Sequence, residues 1–193
     1  MTVDAVFTDF PILTTDRLQL RQLQPSNAEA LFAIKSDPEV TKHYGQEPHQ
    51  SRDETLWWIQ GLRDSYGRRE DLAWCVTVKG EDKLIGACTL WNLDRAYHHG
   101  EIGYELLPAY ERQGIMTEAV SAILTFAFTE LGLHRVEATP FADNLPSKSL
   151  LLRLGFSYEG TLRQRHFFRD HYKDQLYFGL LKEEWLNLKS AAR

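Results

Sequence analysis

The segment Tyr110-Glu111-Arg112-Gln113-Gly114-Ile115-Met116-Thr117 is a polar loop that leads from a strand-like stretch straight into a long helix-like one. The first amides of a helix have no carbonyl partner, and the helix dipole adds positive potential there. Such a loop is therefore an anion site. Gly114 allows the main chain to approach a phosphate closely. A glycine in a strand-to-helix turn is also a common structural device, so the loop alone names no ligand. It does exclude two. A P-loop needs Gly-Lys-Ser/Thr, and a dinucleotide fingerprint needs three spaced glycines; neither is present. The second constellation is Asn144-Leu145-Pro146-Ser147, followed by Leu150, Arg153 and Gly155-Phe156. An asparagine there reads first as a helix cap. It becomes a ligand candidate only in combination with the loop.

These groups need elements to hold them. Residues 18–23 alternate apolar and polar side chains, as a half-buried strand does. Pro25-Ser26-Asn27 offers turn and cap chemistry for a helix reaching Lys35, and Asp37-Pro38 ends it. Ser51 and Glu54 form a capping box for a helix carrying Leu56, Trp57, Ile59 and Leu62 and ending near Gly67. Strands are expected over 73–78, 84–91 and 99–107, joined by short turns and so antiparallel. From Gly114 to about Glu130, Ile115, Ala119, Ile123, Ala127 and Leu131 repeat at helical spacing, and Gly132 suits the stop. A strand at 134–139 completes a βαβ unit with a parallel pair. A short helix over 146–154, a hairpin of 156–168 with 172–181, and a terminal helix over 183–189 follow. The expected class is α/β, a twisted mixed sheet with helices on both faces.

With 193 residues, 43% hydrophobic and 12% aromatic, the chain suits one domain spanning 1–193 with a packed core. Its net charge of −5, with no basic stripe, argues against direct nucleic-acid binding and tolerates cationic amines. Cys75 and Cys88 lie in apolar strands and read as reduced, buried thiols. His98 and His99 are adjacent strand residues that point to opposite faces, so no metal is expected. The first ten residues lack a basic leader, and no apolar run reaches the ~18 residues of a membrane span. The expected location is cytoplasmic.

Several motifs then occur in order: Glu101-Ile102-Gly103-Tyr104, Gln113-Gly114-Ile115-Met116-Thr117-Glu118-Ala119, Leu133-His134-Arg135-Val136-Glu137-Ala138, Asn144 to Ser147, Leu154-Gly155-Phe156 and Glu159-Gly160. The series resembles the GNAT acetyltransferases, and most of all the RimJ/RimL branch that acetylates ribosomal-protein N-termini. Leu13-Thr14-Thr15-Asp16-Arg17-Leu18 and Lys182-Glu183-Glu184-Trp185 fit that branch too, so the likeness covers roughly residues 11 to 187. It implies a sheet whose strands near 99–107 and 134–139 splay apart, with acetyl-CoA in the V. The pantetheine arm would pair near Leu106 and Leu107 and be held by Asn144. The pyrophosphate would sit on the amides of Arg112, Gln113, Gly114, Ile115, Met116 and Thr117, and Arg153 would meet phosphate. Two features depart from the family. Glu111 and Met116 stand where the loop usually has Gln or Arg and Gly or Ala, and Leu151 stands where many relatives have a tyrosine general acid.

The resemblance also suggests catalytic residues. Ser147 fills a position that is often small in relatives, and its hydroxyl can donate to a departing thiolate. Glu101 matches a carboxylate that acts through water in several relatives. His166 neighbours a site where a carboxylate is proposed as base, and an imidazole titrates near neutrality. Each also has a plain structural reading, as a cap, a strand end and a strand histidine. A cysteine nucleophile is disfavoured, since nothing basic adjoins either thiol. The expected acceptor is a protein N-terminus. The alternatives are a small amine (antibiotic, polyamine or amino acid) or a non-catalytic acyl-CoA-binding domain. Acceptor choice would reside in the loop 41–50, the helix with Trp57 and Trp58, and the last hairpin. Relatives of this kind often form homodimers.

Overall fold

Periodicity decides which side of each element faces the core. The computed structural model describes residues 6–43 and 45–191. Half of the first ten residues, and Tyr44 of the loop 41–50, therefore lie outside the described residues. Two short strands open the sheet, β1 (Leu13–Thr14) and β2 (Leu18–Gln22), with Leu18 and Leu20 buried on one side of β2. A single 3-10 turn, Pro25–Asn27, leads into α1 (Ala28–Lys35). Asp37 does more than end that helix: its carboxylate accepts from Glu39 N at 2.8 Å and caps a further short helix, α2 (Pro38–Thr41). Proline at a first helical position has no amide to lose, so Asp37-Pro38 stops one helix and starts another. Ser51 caps α3 (Arg52–Gly67) through Glu54 N, while the Glu54 carboxylate accepts from Gln50 N at 2.8 Å rather than from Ser51 N, so the expected capping box forms only in part.

Three antiparallel strands follow, β3 (Leu72–Val78), β4 (Leu84–Asp94) and β5 (His99–Leu106). A 3-10 turn at Pro108–Tyr110 precedes α4 (Ile115–Thr129), and β6 (Arg135–Ala138) returns parallel to β5. Then come α5 (Leu145–Arg153), the hairpin β7 (Ser157–Phe168) and β8 (His171–Leu181), and α6 (Lys182–Ala191). The eight strands lie in the order β1-β2-β3-β4-β5-β6-β8-β7.

The apolar stripe of α4, with Ala119, Val120, Ile123, Leu124 and Ala127 fully buried, packs on one sheet face with Trp74, Val76, Ile85, Cys88 and Ile102. On the other face α1 and α3 bring Leu31, Ile34 and Ile59 against Ala73, Cys75 and Ala87. Each fully buried leucine or isoleucine contributes roughly 1.5–3 kcal/mol. The sheet is thus sandwiched, as the sequence pattern predicts. Alternation along β5 assigns Ile102, Tyr104 and Leu106 to the α4 face and Glu101, Gly103 and Glu105 to the α1 face.

Candidate active site

The sheet is open in its middle. β5 pairs with β6 only at His99↔Arg135, Gly100↔Val136 and Glu101↔Glu137. Beyond that point β5 stays with β4 as far as Gly86↔Leu106, while β6 stays with β8 as far as Ala138↔Phe178. The two strands separate because each keeps its other partner. Leu107 donates its N–H to Ile85 O at 2.9 Å and accepts from Tyr110 N at 2.9 Å, so its main chain is committed within the protein. By antiparallel alternation, the main-chain groups of Tyr104 and Leu106 then point away from β4, into the gap. Of the two leucines named from sequence, Leu106 is the one with backbone groups to offer.

Next to the gap, the loop before α4 makes a second unfilled polar surface. Arg112 (φ 57°) and Gly114 (φ 75°, ψ 2°) are both left-handed, and Gly114 is the residue that enters the helix. The amides of Ile115, Met116 and Thr117 precede the first intrahelical bond, Glu118 N to Gly114 O at 3.0 Å. The side chain of Gln113 is spent on Ala109 O at 2.9 Å. Arg17 donates to Gln113 O at 3.0 Å and to Glu118 at 2.6 Å, tying β2 to the helix start. Ile115 and Met116 turn their side chains into the core, where Met116 Sδ lies 3.5 Å from Cys88 Sγ. The unusual residue at position 116 thus has its side chain in the core rather than over the loop's amides. Gly114 and Thr117 open on a groove that also carries Thr15, Ser121, Arg153 and Lys189.

On the α1 side the gap widens into a cleft of about 580 Å³. Glu101, Asn144, Ser147 and His166 all line it, although they come from four different elements. Asn144 caps α5, its Oδ1 accepting from Ser147 N at 3.1 Å, and its amide retains two donors. Ser147 Oγ is 2.8 Å from the Tyr104 hydroxyl. Burial pushes the Tyr104 phenol well above its ordinary range, outweighing the bond to Ser147. Burial also raises the Glu101 carboxyl, against the hydrogen bond donated by Thr139 Oγ1. His166 Nε2 is 3.0 Å from Gln175 Oε1, and its ring lies 5.5 Å from that of Phe141. Deeper in the wall, Lys35 pairs with Glu105 at 2.9 Å and sits 4.1 Å over the Trp58 ring.

Other candidates are set aside by position. Burial pushes Cys75 up to about 12 and raises Cys88 further, and a thiol must ionise to attack. Both are free and buried. His98 is left-handed (φ 55°) in the turn before β5 rather than in the strand, so the alternation argument from sequence does not apply to it. No cluster of metal-ligating side chains occurs among the described residues. No helix among them is long and apolar enough to cross a membrane.

The Acetyltransferase (GNAT) domain family matches residues 17–157. The chain belongs to the GNAT acetyltransferase family. It is 40% identical over 155 residues to the N-acetyltransferase YoaA of Bacillus subtilis (strain 168), a match covering 80% of this chain and 88% of that one. Two relatives with named acceptors are more distant. The [ribosomal protein uS5]-alanine N-acetyltransferase of Escherichia coli (strain K12) is 25% identical, over 90% of this chain and 92% of the relative. The spermidine N(1)-acetyltransferase of Vibrio cholerae serotype O1 is 23% identical, over 89% and 96%. Among solved structures, Mycobacterium smegmatis RimJ in complex with CoA-disulfide superposes with a TM-score of 0.80 at 25% identity, covering 91% of this chain and 90% of that one.

In this GNAT acetyltransferase the sequence motifs gather at two neighbouring places: Gly114, Thr117 and Arg153 on the outer groove, and Glu101, Asn144, Ser147 and His166 in the cleft. Leu151 is fully buried in the core, and its side chain does not line the cleft. The hydroxyl that meets Ser147 comes instead from Tyr104, on the neighbouring strand. Tyr104, Thr139 and Gln175 were not singled out from sequence. The signal for Tyr104 was present in the Glu-Ile-Gly-Tyr motif, whose last residue alternates onto the face that α5 approaches. Thr139 and Gln175 carry no such signal, because their partners are distant along the chain.

Proposed function

We propose that this N-acetyltransferase moves the acetyl group of acetyl-CoA directly onto the N-terminal α-amino group of a protein, and that one GNAT domain runs through residues 1–193. The observation that carries the direct-transfer reading is the two-sided gap. Glu101 stands on the α1 face of β5 and Tyr104 with Ser147 on the α4 face, so proton acceptor and proton donor flank one opening. The fit to the donor rests on the free backbone of Leu106, the spare donors of Asn144, the amides from Arg112 to Thr117, and Arg153 for phosphate.

Acetyl-CoA, when bound, supplies an activated acetyl group as a thioester. The protein's own residues then have three tasks. Glu101 or His166 takes the proton of the attacking amine, whose pKa near ~8 leaves it partly protonated at neutral pH. Backbone amides at the gap polarise the carbonyl. Ser147 donates to the departing sulfur, a thiolate of pKa near ~8.5. Holding amine and thioester together supplies much of the remaining acceleration.

A protein acceptor is supported by the uS5-alanine N-acetyltransferase among the relatives and by the exposed aromatic side chains of Trp91 and Phe167 on the cleft, with Tyr172 packed against Phe167. The test is acetyl-CoA consumption over a panel of N-terminal peptides, polyamines, aminoglycosides and free amino acids. Peptides are expected to be preferred by kcat/KM. Robust turnover of a small amine with none on any peptide overturns the acceptor assignment.

A further inference from the structure

A chain of hydrogen bonds crosses four adjacent strands on the α1 face of the sheet and joins the two candidate bases. Thr139, at the end of β6, donates its hydroxyl to Glu101 on β5. Its carbonyl accepts from Gln175 Nε2 on β8 at 3.2 Å. Gln175 Oε1 meets His166 Nε2 on β7 at 3.0 Å. The backbone of Gln175 is held on both sides: Leu176 N donates to Pro140 O at 2.9 Å, and Ala142 N donates to Asp174 O at 3.0 Å. Phe141 bridges to Gln175 itself.

The donors and acceptors in this chain have only one consistent arrangement. A carbonyl oxygen accepts and never donates, so the end of Gln175 facing Thr139 O is its NH₂. The end facing His166 is then the amide oxygen, which also only accepts. His166 Nε2 must therefore carry a proton, which leaves Nδ1 as the ring nitrogen able to take another. The chain does not conduct protons. An amide has no proton to relay in this range, and Thr139 uses its carbonyl on one side and its hydroxyl on the other.

We propose that Gln175 is the positioning residue that holds His166 with its proton on Nε2 and thereby presents Nδ1 as the base for the acceptor amine. The proposal rests on the reading of His166 as a general base and deepens it. The carboxylate end of the same chain, Glu101, is oriented by Thr139 and shares the support without sharing the proton.

The test combines ¹⁵N-histidine NMR with kinetics on the full chain, using wild type, Gln175→Met, Gln175→Glu and His166→Ala. Wild type is expected to show a His166 ring proton on Nε2, protected from exchange. Gln175→Met removes the acceptor and loses that protection, while Gln175→Glu keeps an acceptor and keeps the signal. Gln175→Met is expected to lower kcat about tenfold with KM for acetyl-CoA unchanged, and Gln175→Glu, which keeps the acceptor for His166 but loses the donor to Thr139 O, to recover part of the loss. A proton on Nδ1 in wild type, or protection that persists in Gln175→Met, overturns the proposal whatever the kinetics. Unchanged kcat in Gln175→Met beside a loss in His166→Ala overturns the role of Gln175 alone. Unchanged kcat in both overturns the base assignment. Should Gln175→Met lose its cooperative thermal transition, the Gln175→Glu signal decides: its absence overturns the proposal.

Discussion

The Tyr104 hydroxyl and Ser147 Oγ lie 2.8 Å apart across the gap between β5 and α5, on the sheet face opposite Glu101. Burial keeps the phenol protonated, so Tyr104 has a proton it can donate to Ser147 Oγ, and a serine that receives that hydrogen bond has its own proton free for the cleft. Ser147→Ala is expected to lower kcat by about tenfold or more with acetyl-CoA affinity nearly unchanged, since the interaction strengthens as negative charge develops on sulfur. Tyr104→Phe should cost less, and the double variant should be no worse than Ser147→Ala alone. Additive losses in steady-state kinetics would mean that the two hydroxyls act separately.

Gly114 enters α4 at φ 75°, a region that a β-branched residue occupies only under strain. A Cβ there meets nothing closer than Arg17 Nη2 at 3.5 Å, so the penalty is conformational rather than a clash. Gly114→Val should rotate the loop amides and weaken acetyl-CoA binding in calorimetry by about tenfold or more, for a change of about 1–2 kcal/mol. Unchanged affinity would remove the loop from the binding site.

Glu101 carries a charge that burial opposes, with Glu137 adding repulsion and Thr139 offsetting part of it. Its folded pKa is raised, so its favourable contribution to stability is present below the ordinary carboxylate range and is lost as pH rises through the raised value. Glu101→Gln stays neutral and still accepts from Thr139. It should match wild type in Tm at about pH 4 and exceed it at about pH 7.5. A difference that does not change with pH would contradict the burial argument. If Glu101 is also a base, the acidic limb of kcat/KM for one fixed peptide should disappear in this variant.

Lys35 and Glu105 form an ion pair at 2.9 Å, each side chain less than a tenth exposed. Removing one partner strands the other charge. Lys35→Met should therefore cost about 3–5 kcal/mol in denaturant unfolding, and Lys35→Met with Glu105→Leu should recover most of that loss. A double variant as unstable as the single one would show that the cost comes from lost packing on Trp58.

Much of this enzyme was legible in its sequence where the information is local. The Ser51 cap and the α4 stripe each depend on residues within one or two turns of chain and formed as read; Gly114 stands at the helix start as read, with a left-handed φ that the sequence reading did not name. Asn144 was read first as a cap, and it is one. The reading went less far where a group's fate depends on a distant neighbour. Leu106 and Leu107 look equivalent in sequence, yet only Leu106 keeps its backbone free, because Ile85 on the next strand takes the amide of Leu107. Met116 departs from the small residue usual in the family, and its side chain fills the core against Cys88.

The sequence by itself determined the order of elements, their amphipathic faces and the placing of an anion-binding helix start directly after a strand. Those properties follow from periodicity and backbone stereochemistry, which act over a few residues. The family resemblance implied that β5 and β6 splay, and only the tertiary structure decided that they part after Glu101. It alone brought Tyr104 to Ser147 over a separation of 43 residues, and Thr139 to Glu101 over 38. Strand pairing and side-chain hydrogen bonds across a sheet are set by which surfaces the whole core brings together, and no local pattern along the chain encodes that choice.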